Sequence, residues 1–134
     1  MSMSKEDYQN FVNEACYYRH VNRGDEHEYS YVALGLAGES GEYADATKKM
    51  LRRGHFGKNL QEFRPKRLEE LGDTLWYLVR ICAVEGITLG ELMEMNTLKL
   101  CVRFDINWPG VYEEGSKTIE EWLKEMEEDD YAEK

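Results

Sequence analysis

Apolar residues recur at intervals of three and four along almost the whole chain, and no window alternates well enough to read as a half-buried strand. The pattern predicts an all-α protein. Ser4 is suited to cap a first helix with the stripe Tyr8, Phe11, Val12, Ala15 and Cys16, followed by a polar loop at Asn22-Arg23-Gly24-Asp25. A second helix is expected from about Tyr29 to Leu51. The two glycines in Arg53-Gly54-His55-Phe56-Gly57-Lys58-Asn59 break the periodicity, so that stretch reads as a loop. Pro65 suits the first turn of a third helix, whose stripe is Leu68, Leu71, Leu75, Leu78 and Cys82 and which stops near Gly86.

Thr88-Leu89-Gly90-Glu91 has the form of a capping box, opening a fourth helix that carries Leu89, Leu92, Met93, Met95, Leu98, Leu100 and Val102. Asn107-Trp108-Pro109-Gly110 ends it. A last amphipathic segment, Ile119, Trp122, Leu123 and Met126 behind a Thr118 cap, runs into EMEEDDYAEK, a charge run that reads as solvated. A chain of 134 residues fits one domain with a four-helix-bundle-like core over about residues 4–106 and a short acidic helix over about 113–134.

The longest apolar runs, such as Leu75 to Val79, are far too short to span a membrane, and MSMSKEDYQ lacks the apolar stretch of a signal peptide, so a soluble, cytoplasmic protein is expected. Cys16, Cys82 and Cys101 are widely spaced in apolar surroundings with no CxxC, which points to reduced core residues and away from zinc. The formal charge is −10, but ten acidic residues and three lysines from Glu113 onward carry −7 of it, leaving −3 on residues 1–112. That balance argues against a nucleic-acid partner, which would call for a basic patch. A small anionic ligand remains compatible if divalent cations intervene.

Within the second predicted helix, LGLAGESGEYADA places three glycines where each costs about 1 kcal/mol against alanine. Carboxylates follow two of them. Residues three apart on a helix approach a common point, so Glu39 and Glu42 form one inward pair, and Glu70 and Asp73, in EELGD, form another. Asp73 is expected near the buried edge of its helix, beside Leu71 and Leu75. If the two helices make an antiparallel hairpin, the pairs can meet in the groove between them. Four unpaired carboxylates repel, whereas two hard divalent ions, Mg²⁺ with Mn²⁺ as substitute, would balance them and support hydrolysis of a phosphate bond. Gly38, Gly41 and Gly72 each precede one of these acids, as expected if a neighbouring helix or ligand must come close. The same spacing also occurs on solvated faces, and glycines can serve tight packing alone, so spacing leaves both readings open.

Glu39-x-x-Glu42, then Glu70-x-x-Asp73, within LGLAGESGEYADATKK and RLEELGDTLWYL, resembles the MazG-like nucleoside triphosphate pyrophosphohydrolases of the all-α NTP pyrophosphatase superfamily. Asn96-Thr97-Leu98-Lys99-Leu100 resembles the family's Asn-x-x-Lys element, so the likeness covers roughly residues 30–104. It implies Mg²⁺-dependent cleavage of an NTP or dNTP between the α and β phosphates, and a homodimer or homotetramer. By position, Glu39, Glu42, Glu70 and Asp73 would bind the ions, Glu39 could double as the base with Glu69 a lesser helper, and Asn96 and Lys99 would reach phosphate or sugar. Lys49, among Lys48, Lys49, Arg52 and Arg53, could hold outer phosphates, although a basic helix end is favoured by the macrodipole alone. Trp76 or Tyr77 could stack on a base, although aromatics in a core helix more often pack. His55 could contact substrate from its loop, and His20 and His27 carry no legible signal.

Two other classes compete. A di-iron carboxylate bundle needs Glu-x-x-His on two helices, and no such tetrad occurs. A noncatalytic acidic adaptor predicts that neutralising Glu39 or Asp73 changes nothing or adds stability. The excess of apolar residues on the fourth helix favours self-association. Base preference, including a dUTP-, dCTP- or dGTP-directed or phage-encoded variant, is not legible in these residues.

Overall fold

Ser4 caps the first helix, α1 (Lys5–Glu14), through a reciprocal pair: the Asp7 N–H donates to Ser4 Oγ and the Ser4 N–H to Asp7 Oδ2, each at 3.1 Å. The computed structural model describes residues 2–109 and, beyond them, 118, 120, 121 and 124. The inward side of α1 is narrower than its apolar pattern suggests: Val12 and Cys16 are buried, while Phe11 stands exposed.

The next helix, α2 (Glu26–Arg52), starts three residues before Tyr29 because Asp25 caps it, accepting the Glu28 N–H at 3.0 Å. The stretch expected to be a loop contains a helix, α3 (Phe56–Glu62), entered through His55 at φ 50°. Its support is tertiary. The buried Asn59 side chain donates to the carbonyls of Met50, at 3.3 Å, and Gly54, which ties the short helix to the end of α2.

α4 (Arg64–Val84) has Pro65 in its first turn and ends just before Gly86, which takes φ 72°. Its buried residues are Glu70, Val79, Arg80 and Cys82. The expected core stripe is corrected here: Leu68, Leu71 and Leu75, in the first half of α4, remain 40–47 % exposed and Leu78 is half-buried, whereas Cys82 at the end of the stripe is buried.

α2 and α4 form the principal packed pair, with α1 against α4 and α3 against both. They run antiparallel. The Tyr29 hydroxyl, early in α2, donates to the Val84 carbonyl at the end of α4 at 3.1 Å, and Gly35, further along α2, faces Tyr77, further back along α4. The chain divides into two compact units, Met1–Thr88 with α1 to α4 and Leu89–Lys134, which opens with α5 (Leu89–Phe104). In the second unit Thr118 and Glu121 make a reciprocal cap, Thr118 N–H to Glu121 Oε2 at 2.6 Å and Glu121 N–H to Thr118 Oγ1 at 3.2 Å. Ile119, Trp122, Leu123 and Met126 lie outside the described residues.

Among the described residues every regular element is a helix, and none is long and apolar enough to cross a membrane. Cys16, Cys82 and Cys101 are free thiols and buried, as their surroundings in the sequence suggest.

Candidate metal centre

The antiparallel register that sets Gly35 opposite Tyr77 brings Glu39, one turn further along α2, to Glu70 and Asp73 of α4. One carboxylate oxygen from each of the three lies within 4.8 Å of the others. Glu70 is 3 % exposed, Glu39 is half-buried and Asp73 is exposed. The expectation that Asp73 occupies the buried edge is thus reversed: Glu70 is the buried member of the pair. Glu42 is exposed and does not join the three. Burial raises the proton affinity of Glu39, and the charges of Asp73 and Glu70, a hydrogen bond with Glu70 and the charge of Glu42 raise it further.

Cations along α2 and α4 are paired with carboxylates. Lys66 Nζ pairs with Glu70 Oε1 and, at 3.2 Å, with Glu69 Oε2. Lys48 and Lys49 each contact Asp45 at 2.6 Å, and these two ammonium groups hold the Asp45 carboxyl at about 2. Lys49, expected to hold phosphate, is therefore engaged by Asp45. Arg53 binds Glu62 at 3.0 Å with its guanidinium 5.0 Å from the centre of the Phe63 ring.

Aromatic rings adjoin the acids. Tyr77 packs so tightly on α2 that a Cβ at Gly35 would fall 2.1 Å from its ring, so glycine is required there. Burial pushes the Tyr77 hydroxyl up to about 12, helped by a hydrogen bond with Tyr31 and by the charges of Tyr31, Glu39 and Asp73. Trp76 meets Tyr77 edge-on at 5.0 Å between ring centres. Gly38, Gly41 and Gly72 answer the glycine question differently. A Cβ on any of them would meet nothing within 4 Å, so among the described residues no neighbouring helix comes close to them, and open room lies there instead.

The sequence reading missed a second acidic centre on the same helix pair. Glu28 and Arg80 are 1 % and 2 % exposed and paired at 3.3 Å. Glu28 Oε1 accepts the Tyr18 hydroxyl at 2.5 Å and the Asn22 N–H at 2.8 Å, while Oε2 accepts the Gly24 N–H at 2.8 Å. Arg80 donates to Asn13 Oδ1 at 2.7 Å, the Tyr18 oxygen at 3.0 Å and Asn22 Oδ1 at 3.3 Å, joining α1, the loop before α2 and α4. Burial works to raise the Glu28 carboxyl, yet the Tyr18 hydroxyl and the N–H groups of Gly24, Asn22 and Arg23 outweigh it and hold the group at about 2. A signal was present: Arg80 is the lone charge in LWYLVRICAV, where a solvated residue would be out of place.

Asn96 and Lys99 are both exposed, one turn apart on α5 in the second unit. His55 serves as the N-cap residue of α3, and the rings of His20 and His27 stack at 5.3 Å.

A family model described as the MazG nucleotide pyrophosphohydrolase domain matches residues 27–105, a span that includes all four candidate acids, Asn96 and Lys99. The Gene 37 protein of Mycobacterium phage L5 is 40 % identical over 76 residues, which is 57 % of this chain and 66 % of that protein, so the chain covers just under two thirds of this relative. No solved structure is a significant match to the chain.

Proposed function

The chain belongs to the MazG nucleotide pyrophosphohydrolase family, and from that premise we propose that it hydrolyses a nucleoside triphosphate between its α and β phosphates, releasing the monophosphate and pyrophosphate. The observation that carries this reading is the convergence of Glu39, Glu70 and Asp73 within 4.8 Å across the α2–α4 pair. An all-oxygen donor set with a buried member and mutually repelling charges suits a hard divalent ion, Mg²⁺ or Mn²⁺. Such an ion, when bound, supplies charge to polarise the P–O bond and to lower the pKa of an attacking water.

The chain's own groups then divide the remaining work. Glu39, Glu70 and Asp73 hold the metal, and Glu42, exposed one turn beyond Glu39, adds a fourth negative charge for a further ion. We assign Glu39 to orienting the water. Asn96 and Lys99 are assigned to phosphate or sugar, a reading supported by their place within the family match. Tyr77, fixed by its contact with Gly35, or Trp76, edge-on to it, offers a ring face on which the base can stack. A homodimer or homotetramer is supported by the exposed leucines of α4, Leu68, Leu71 and Leu75, an apolar row that a second copy can cover.

The test is product analysis with purified protein, Mg²⁺ and a panel of NTPs and dNTPs. Monophosphate plus pyrophosphate is expected, with loss of at least about 100-fold in turnover for Asp73→Asn. Diphosphate plus phosphate would assign the attack to a different bond, and absence of turnover across the panel would leave a helical binding protein. The same panel ranks the bases.

A further inference from the structure

The pair formed by Lys66 and Glu70 is not accounted for by helix stability. A lysine four residues before a glutamate is the less favourable orientation along a helix, and surface pairs of this spacing add only a few tenths of a kcal/mol. What distinguishes this one is its acceptor. The Glu70 side chain is 4 % exposed, whereas Lys66 and its second partner Glu69 are 56 % and 63 % exposed. Lys66 thus straddles a buried carboxylate of the acidic cluster and a solvated one outside it.

We propose that Lys66 is an internal counter-cation that exchanges with the divalent metal: it neutralises Glu70, and it passes to Glu69 when the metal takes Glu70. This rests on the reading of Glu39, Glu70 and Asp73 as metal ligands. A dication and an ammonium drawn to one carboxylate repel one another. Glu69 relieves that conflict. Its oxygen is already 3.2 Å from Lys66 Nζ, so rotation about the bonds of a flexible four-carbon stem completes the transfer without moving the helix. The exchange keeps the buried glutamate paired at every stage and leaves the lysine beside the cluster, where the charge of a polyphosphate can attract it.

The experiment is calorimetric titration of the full chain with Mn²⁺ alone, comparing wild type with Lys66→Met, Lys66→Arg and Glu69→Gln, and using Glu39→Gln and Asp73→Asn as controls. Removing the competing charge in Lys66→Met is expected to tighten Mn²⁺ binding about tenfold, and Lys66→Arg to bind within about twofold of wild type. Glu69→Gln, lacking the alternative partner, binds Mn²⁺ more weakly than wild type. If Lys66 instead merely orients Glu70, Lys66→Met binds no tighter than wild type, and the exchange is overturned while the metal site stands. If Mn²⁺ fails to bind wild type, or binds equally well without Glu39 and Asp73, the metal reading falls and the exchange with it.

Discussion

Two acidic centres lie on one helix pair, and they treat their charge in opposite ways. Around Glu28, the oxygens accept a phenol and two backbone N–H groups, and a buried guanidinium stands alongside. Around Glu39, the nearest charged groups of the cluster are other carboxylates, Glu70 and Asp73. The first centre lowers its carboxyl to about 2 and the second raises Glu39 above its ordinary value. Burial pushes both up, so the difference comes from what surrounds each group. A buried acid with its donors in place acts as a structural joint, whereas acids aimed at one another repel unless a proton or a cation comes between them.

That contrast can be tested by removing one side of it at a time. The largest effect is expected for Arg80→Ala, which leaves Glu28 buried without its cation and disconnects α1 from α4. Denaturant melts should show a loss of about 3–5 kcal/mol. Acid titration comes next. Because the folded Glu28 carboxyl lies at about 2 against an ordinary 4.5, its contribution is fully present above pH 4.5 and is lost as the pH falls through that window. The loss is on the order of 3 kcal/mol, measurable as the fall in urea stability from pH 6 to below pH 3, and it should shrink in Glu28→Gln.

Gly35→Ala drives a methyl into the Tyr77 ring, and overpacking of this kind costs about 1–3 kcal/mol, set against about 1 kcal/mol gained in helix propensity. A thermal melt gives the net value, and a larger KM than kcat effect would mark the ring as part of the substrate surface. The smallest shift should have the opposite sign. Asp73→Asn, measured in chelator, is expected to leave stability unchanged or raise it by up to about 1 kcal/mol, by relieving repulsion in the cluster. A loss comparable to that of Arg80→Ala would mean that the two centres are both structural.

The helix ends were legible because local chemistry decides them. Ser4 and Asp7 satisfy each other's N–H groups, Pro65 sits where its missing donor costs nothing, and Gly86 supplies the positive φ after α4. The short α3 was not legible, because its stability comes from the Asn59 amide reaching back to Met50 and Gly54 and not from any period in FGKNLQE. Spacing singled out four acids, Glu39, Glu42, Glu70 and Asp73, but not which of them come together or which is buried. Helical periodicity ranks faces by apolar content, and on α4 the first half of the apolar face, with Leu68, Leu71 and Leu75, is left exposed while Val79 and Cys82 further along it are buried.

The sequence by itself therefore determined the helical class, the caps at Ser4 and Thr118 and the buried thiols, all consequences of neighbours within about four residues. Only the tertiary structure decided that Glu70 is buried while Asp73 is exposed, that Gly35 exists for Tyr77, and that Glu28 and Arg80 meet across 52 positions of chain. The physical reason is that a charge read in isolation always looks solvated. Whether it pays to bury it depends on donors brought in from other helices, which no local pattern contains.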